Sequence, residues 1–180
     1  MPFVNLARGL ALAQYYPGDA FLQAFCRNFV HRTNLAGDQH VVVKTLVALA
    51  QLGCYDAGAV AAAKKYILSN NVPLESAVLV GWALSILNAF DITTVRWWMI
   101  KVEKARADNT TDMEKRQLYQ TLMHIYVLQP DLGRYLDVDP NFEEICLMLW
   151  RARVKEKAYT SEAVLQMLRT FREMGFYCFR

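Results

Sequence analysis

Apolar residues recur along this chain at intervals of three and four rather than two, a spacing that predicts helices throughout. Three segments rich in Ala and Leu, about Phe3–Tyr16, Gln39–Leu52 and Leu74–Leu87, read as helices, with Gly53 and Asn88 as C-cap residues. Beyond them come Asp19, Asp56 and Asp91, each placed to accept from the free N–H groups of a second helix. On the helix expected from about Asp91 to Arg106, Val95, Trp98, Met99 and Val102 make a core-facing stripe. Thr110 or Thr111 can cap a longer helix that carries Leu118, Leu122 and Ile125 on one face and ends at Gln129-Pro130. Asp137 to Pro140 is a turn-rich break. Two further helices are expected: one over about Asn141–Val154, and one capped by Ser161 and stopped at Gly175. The closing GFYCFR reads as the start of a strand.

The helical pattern repeats. Residues 11–34 laid over 48–71 give eight identities in 24 positions, among them Ala-Leu-Ala-Gln, the Asp pair Asp19/Asp56, and Asn34/Asn71. A third copy follows at an offset of 35, where ALAQLGCYD (48–56) meets ALSILNAFD (83–91). A period of 35–37 residues marks stacked supersecondary units, none of which can bury its own apolar face. The expected fold is therefore all-α: a right-handed α-solenoid of three helical hairpins over 1–106, then a helical region over 107–180. Small residues at Ala11, Ala13, Ala48, Ala50 and Ala83 suit close helix approach, so the recurring Ala and Asp are read as structural.

Composition narrows the class. With 54% hydrophobic residues, 8 Gly and 5 Pro in 180 residues, the chain is neither disordered nor turn-rich β. Cys26, Cys54, Cys146 and Cys178 are scattered, which suggests a reducing compartment rather than a disulfide scaffold. The most apolar stretch, Ala77 to Phe90, is too short to span a bilayer. The N-terminal residues read as the first helix of the fold rather than as a targeting signal. The net charge of +3 is unevenly spread: residues 1–106 carry 10 basic and 6 acidic side chains, 107–144 carry 3 and 8, and 145–180 carry 7 and 3. An acidic middle between basic ends fits a polyanion partner, or solvated faces.

No catalytic constellation emerges. His31, His40 and His124 are unpaired at helical spacing, and HExxH, CxxC, Walker A, GxGxxG and GxSxG motifs are all missing. Glu143 and Glu144 stand about 100° apart on a helix and cannot face one substrate. Cys26 and Cys54 read as inert core thiols. The expectation is a non-enzyme that needs no metal, cofactor or small-molecule substrate.

The stretch Trp82–Asp91 (WALSILNAFD), with its copies LALAQYYPGD and VALAQLGCYD, resembles the helical repeats of octotricopeptide-repeat and FAST-kinase-like organellar proteins. Arg116–Leu132 is similar to the helix that follows those repeats, and Ser161, Met167, Phe171, Met174 and Gly175 fit the opening of a RAP domain. Such a domain should continue into a small α/β unit, whereas this sequence ends at Arg180, so a truncated RAP-like start is the expectation. The resemblance implies RNA binding in mitochondria, or alternatively plastids: transcript processing, transcript stability, or service in a ribosome.

A code-reading repeat protein should present matched polar residues on its first helices. Here those helices offer Asn5 and Arg8, then Lys44 and Thr45, then Glu75 and Ser76, which is no consistent set. Backbone-directed contact is expected instead, as for a structural rRNA-binding component of a mitochondrial ribosome lying among neighbouring proteins. The alternatives are a protein-interaction module and an organellar transcript processing or stability factor. The densest basic run holds Arg151, Arg153, Lys155 and Lys157, paired at i, i+4 to make two rows suited to phosphates, or else a solvated helix end. Trp97 shares a helix face with Lys101 and Lys104, as a base-stacking platform would, or else packs on the next helix. Lys64 and Lys65 complete the expected RNA-binding residues.

Overall fold

The computed structural model describes residues 2–36, 38–103, 111–129 and 131–132. Among them the protein is all-helical, with no strand. The helices are α1 (Pro2–Leu12), α2 (Asp19–Ala36), α3 (Gln39–Gln51), α4 (Ala57–Ser69), α5 (Leu74–Ile86), α6 (Ile92–Glu103) and α7 (Asp112–Leu128). The chain divides into two compact units, Met1–Val102 and Glu103–Arg180. The expected helices over 141–154 and from Ser161, and the strand start at the C-terminus, lie outside the described residues.

In the first unit α3 packs against both α1 and α5, and also touches α4, while α2 packs on α4. The alanines read as close-approach residues are mostly interior: Ala11, Ala48, Ala50 and Ala83 are buried, whereas Ala13 is exposed. Around them Leu22, Phe25, Val42, Leu46, Leu49, Ile67, Val78 and Leu84 fill the core. The α6 stripe is buried as its spacing predicts, with Val95, Trp98 and Val102 fully enclosed. On α7, in the second unit, Leu118, Leu122 and Ile125 are likewise buried.

Helix starts follow side-chain chemistry. Asp56 accepts from the Ala59 N–H at 2.7 Å and Asp91 from the Thr94 N–H at 2.8 Å, each three residues into its helix. Asp91 also donates its own N–H to Thr94 Oγ1 at 3.0 Å, which closes a reciprocal box. Asp38, whose role the sequence does not advertise, caps α3 by accepting from the His40 N–H at 2.8 Å. At α7 the cap is Thr111, with Glu114 returning the bond to the Thr111 N–H at 2.7 Å. Asp19 differs: it is the first residue of α2, and its carboxylate accepts from the Tyr16 hydroxyl.

Helix stops are repeated more closely than helix starts. Gly53 (φ 62°) and Asn88 (φ 50°) sit in the left-handed region just past α3 and α5. The N–H groups of Cys54 and Ala89 reach back to Leu49 and Leu84 oxygens at 2.9 and 2.8 Å, completing a Schellman closure at each end. The same closure ends α1, where Gln14 takes φ 52° and Tyr15 N–H reaches the Leu10 oxygen at 2.9 Å. Helix α1 therefore ends at Leu12, four residues before the Tyr16 end that the periodicity predicts. Two forces act there: the turn at Gln14, and Pro17, which drives Tyr16 towards extended backbone. A side chain at positive φ strains the backbone where glycine would not. Gln14→Gly is expected to stabilise the fold by roughly 0.5–1 kcal/mol, and a fall in melting temperature would refute the assigned turn.

Candidate nucleic-acid interface

The residues expected to meet RNA divide into three groups. Lys104 and the run Arg151, Arg153, Lys155 and Lys157 lie outside the described residues. Lys64 and Lys101 are engaged within the fold. Lys65 is exposed on α4, and Trp97 is half-buried on α6.

Lys64 forms an ion pair with Asp91, Nζ to Oδ2 at 2.7 Å, joining α4 to the start of α6. Burial alone would raise the Asp91 carboxyl. The hydrogen bonds from Lys64 and Thr94 outweigh that burial and hold it below its ordinary value of 3.8. A carboxyl depressed on folding adds stability that is present above pH 3.8 and lost as pH falls through the folded value. Lys64 is thus tied to the structural cap of the next helix. Lys101 donates from Nζ to Asn71 Oδ1 at 2.9 Å, linking α6 to the connection before α5. Both lysines keep their charge near the surface, though each already has a local partner.

The base-reading positions are as incoherent in space as in sequence. Thr45 is fully buried on α3, its Oγ1 without a hydrogen-bond partner. Ser76 accepts at Oγ from Gln39 Nε2 at 3.0 Å, binding the start of α5 to the start of α3. Asn5 and Arg8 on α1 are exposed. Helices α1, α3 and α5 therefore present no matched polar set.

Several surface features escape the sequence pattern. Tyr15, Tyr16 and Tyr55 are more than half exposed in the connections after α1 and α3, flat rings available to a base or a protein. On α2, Arg27 and His31 stand at i, i+4 and border an open cleft of about 480 Å³ together with Cys26, Val30, Asp56 and Gly58. The four-residue spacing of Arg27 and His31 was visible in the sequence, but the cleft depends on α2 meeting the start of α4. Among the described residues no group of three or more His, Cys, Asp or Glu is placed to hold a metal, and no helix is long and apolar enough to cross a membrane. Compared with protein families, curated proteins and solved structures, the chain matches none.

Proposed function

We propose that the protein is a non-catalytic helical-repeat protein that binds RNA through its backbone, as a structural rRNA-binding component of a mitochondrial ribosome. The observation that carries this reading is a repeated helix stop: α1, α3 and α5 end in the same closure at Gln14, Gly53 and Asn88. With α1 on α3, α3 on α5 and α2 on α4, the pattern suits a right-handed solenoid in which first and second helices form separate layers. We assign the boundary of that array to about residue 106, with a helical, RAP-like region after it. The mitochondrial placement comes from the resemblance of the repeats.

Backbone-directed binding is favoured over sequence reading because Thr45 is buried and Ser76 is occupied by Gln39. Half-buried Trp97, with Lys101 one turn along α6, supplies an aromatic beside a cation, and exposed Lys65 adds charge on α4. Arg151, Arg153, Lys155, Lys157 and Lys104 complete the proposed phosphate contacts. Contacts of this kind release counterions, so retention on RNA particles should fall steeply as salt is raised. The test is co-sedimentation of the protein with ribosomal particles in gradients of increasing salt. Charge reversal at Arg153 and Lys157 should weaken retention while leaving the helical circular dichroism unchanged. Sharp preference for one short RNA over scrambled versions would overturn backbone-directed binding.

A second reading is a protein-interaction module. It is favoured by Leu6, Leu12, Tyr15 and Tyr16, large apolar side chains exposed on α1 and just beyond it. Salt-insensitive retention would select it.

A further inference from the structure

Helix α1 has the composition of an interior helix but is covered on one side. Of its 11 residues, PFVNLARGLAL, Asn5 and Arg8 are the polar ones. Val4, Ala7 and Ala11 are buried where α1 packs on α3. The opposite side holds Leu6, Gly9 and Ala13, all exposed, with Leu12 beside them. Ala13 continues the helical turn, its N–H bonding the Gly9 oxygen at 2.9 Å. In the 37-residue register, Leu6, Gly9, Leu12 and Ala13 stand where α3 has Val43, Leu46, Leu49 and Ala50. Those four are buried, in a helix that packs on both α1 and α5. A helix apolar nearly all round is normally enclosed, and the α1 positions that lie open are the ones enclosed one repeat later.

Gly9 shows how closely a covering helix comes. A glycine inside a helix weakens it relative to alanine. Gly81 has a reason within the chain, since the Trp98 indole fills the space a Cβ would need. Gly9 has none: a Cβ there would meet nothing within 4 Å. It sits at the centre of the open face, between Leu6 and Ala13, where a missing side chain admits the backbone of another helix. The face is also uncharged. Arg8 lies about 100° or more round the helix from Leu6, Gly9 and Ala13. A nucleic acid would need cations there, whereas two identical uncharged faces can meet without repulsion.

We propose that this face is a homodimer interface, in which α1 of a second copy packs antiparallel on α1 across a two-fold axis beside Gly9. Leu6 of each copy then lies opposite Ala13 of the other, a large side chain on a small one, and the two glycines set a close spacing. The row α3–α1 of one chain continues through the axis into α1–α3 of the next, so each α1 is packed on two sides as α3 is. Exposed Leu12 is covered at the edge of the contact. The interface stands apart from the RNA reading, because it uses none of the cations proposed to meet phosphates.

The experiment is sedimentation equilibrium of the purified full chain between about 1 and 100 μM, at low and at high salt. A reversible monomer–dimer equilibrium is expected, with a dimer that persists at high salt because no charges meet in it. Gly9→Ala should weaken dimerisation by about tenfold or more. The melting temperature of its dilute monomer should stay equal or rise by up to roughly 4 °C, since alanine is the better helix former. Leu6→Glu should abolish the dimer and leave the helical circular dichroism unchanged. A chain that stays monomeric over the whole range, which would leave the face to a helix of another protein, overturns the proposal. So does a dimer that salt dissociates, or one that Gly9→Ala and Leu6→Glu leave intact. A lower melting temperature for the Gly9→Ala monomer would place Gly9 in internal packing and overturn it as well.

Discussion

Replacing Gly81 with alanine is expected to cost roughly 2 kcal/mol of stability, although the same change inside an ordinary helix gains up to about 1 kcal/mol. Gly81 is buried in the middle of α5, where the Trp98 indole lies directly over its Cα. An added Cβ would meet Trp98 Cδ1 at 2.6 Å and Cε2 at 2.7 Å, with Nε1 nearer still. The indole has no room to retreat: Trp98 is 0% exposed, and its ring meets Phe90 edge-on at 6.0 Å. Overpacking therefore outweighs helix propensity. Denaturant unfolding of Gly81→Ala measures the loss, and Trp98→Phe in the same background should recover part of it by removing the struck edge. A Gly81→Ala protein as stable as the parent would disprove this account of how α5 meets α6.

Trp98→Ala should be more damaging, on the order of 3–5 kcal/mol, because it empties the largest fully buried side chain of the first unit. That is a large fraction of the stability of a domain this size. Trp98→Phe should be far milder than most tryptophan losses. The Trp98 Nε1 has no hydrogen-bond partner, so no bond is broken when it goes. Trp97 provides the contrast. Half-buried and about 100° around the helix from Trp98, it should leave the melting temperature nearly intact when changed to alanine. Under the proposed function, the same change should reduce incorporation into ribosomal particles. Equal destabilisation by Trp97→Ala and Trp98→Ala would make Trp97 a core residue.

The helices were legible in the sequence wherever local chemistry decided them. Gln39 and Leu74 begin α3 and α5 where the periodicity places them, and Asp56 and Asp91 cap as their positions suggest. Burial of Val95, Trp98, Met99 and Val102 followed from spacing alone. The end of α1 did not, because Gln14 gives no hint of a left-handed conformation and the identity of Ala-Leu-Ala-Gln in two segments hides that the α1 closure falls two residues earlier in the 37-residue register than the α3 closure. The seat for Trp98 at Gly81 was hidden for another reason. A glycine within a helical run reads as a weak point until the ring that needs its missing side chain is known. The candidate interface was the least legible. Lys64 and Lys101 look like free cations in the sequence, and only tertiary structure brings Asp91 and Asn71 to them.

The polar ties of the first unit also bear on how quickly the chain can find its fold. Gln39 to Ser76, Lys101 to Asn71 and Lys64 to Asp91 bridge 37, 30 and 27 residues. Loops of these lengths carry nearly equal closure entropies, since each doubling adds only about 0.6 kcal/mol. No one of these links has to wait for a distant end of the chain, and none has a marked entropic lead over the others. Refolding of this unit should therefore show no single slow step set by closure of any one of these three links.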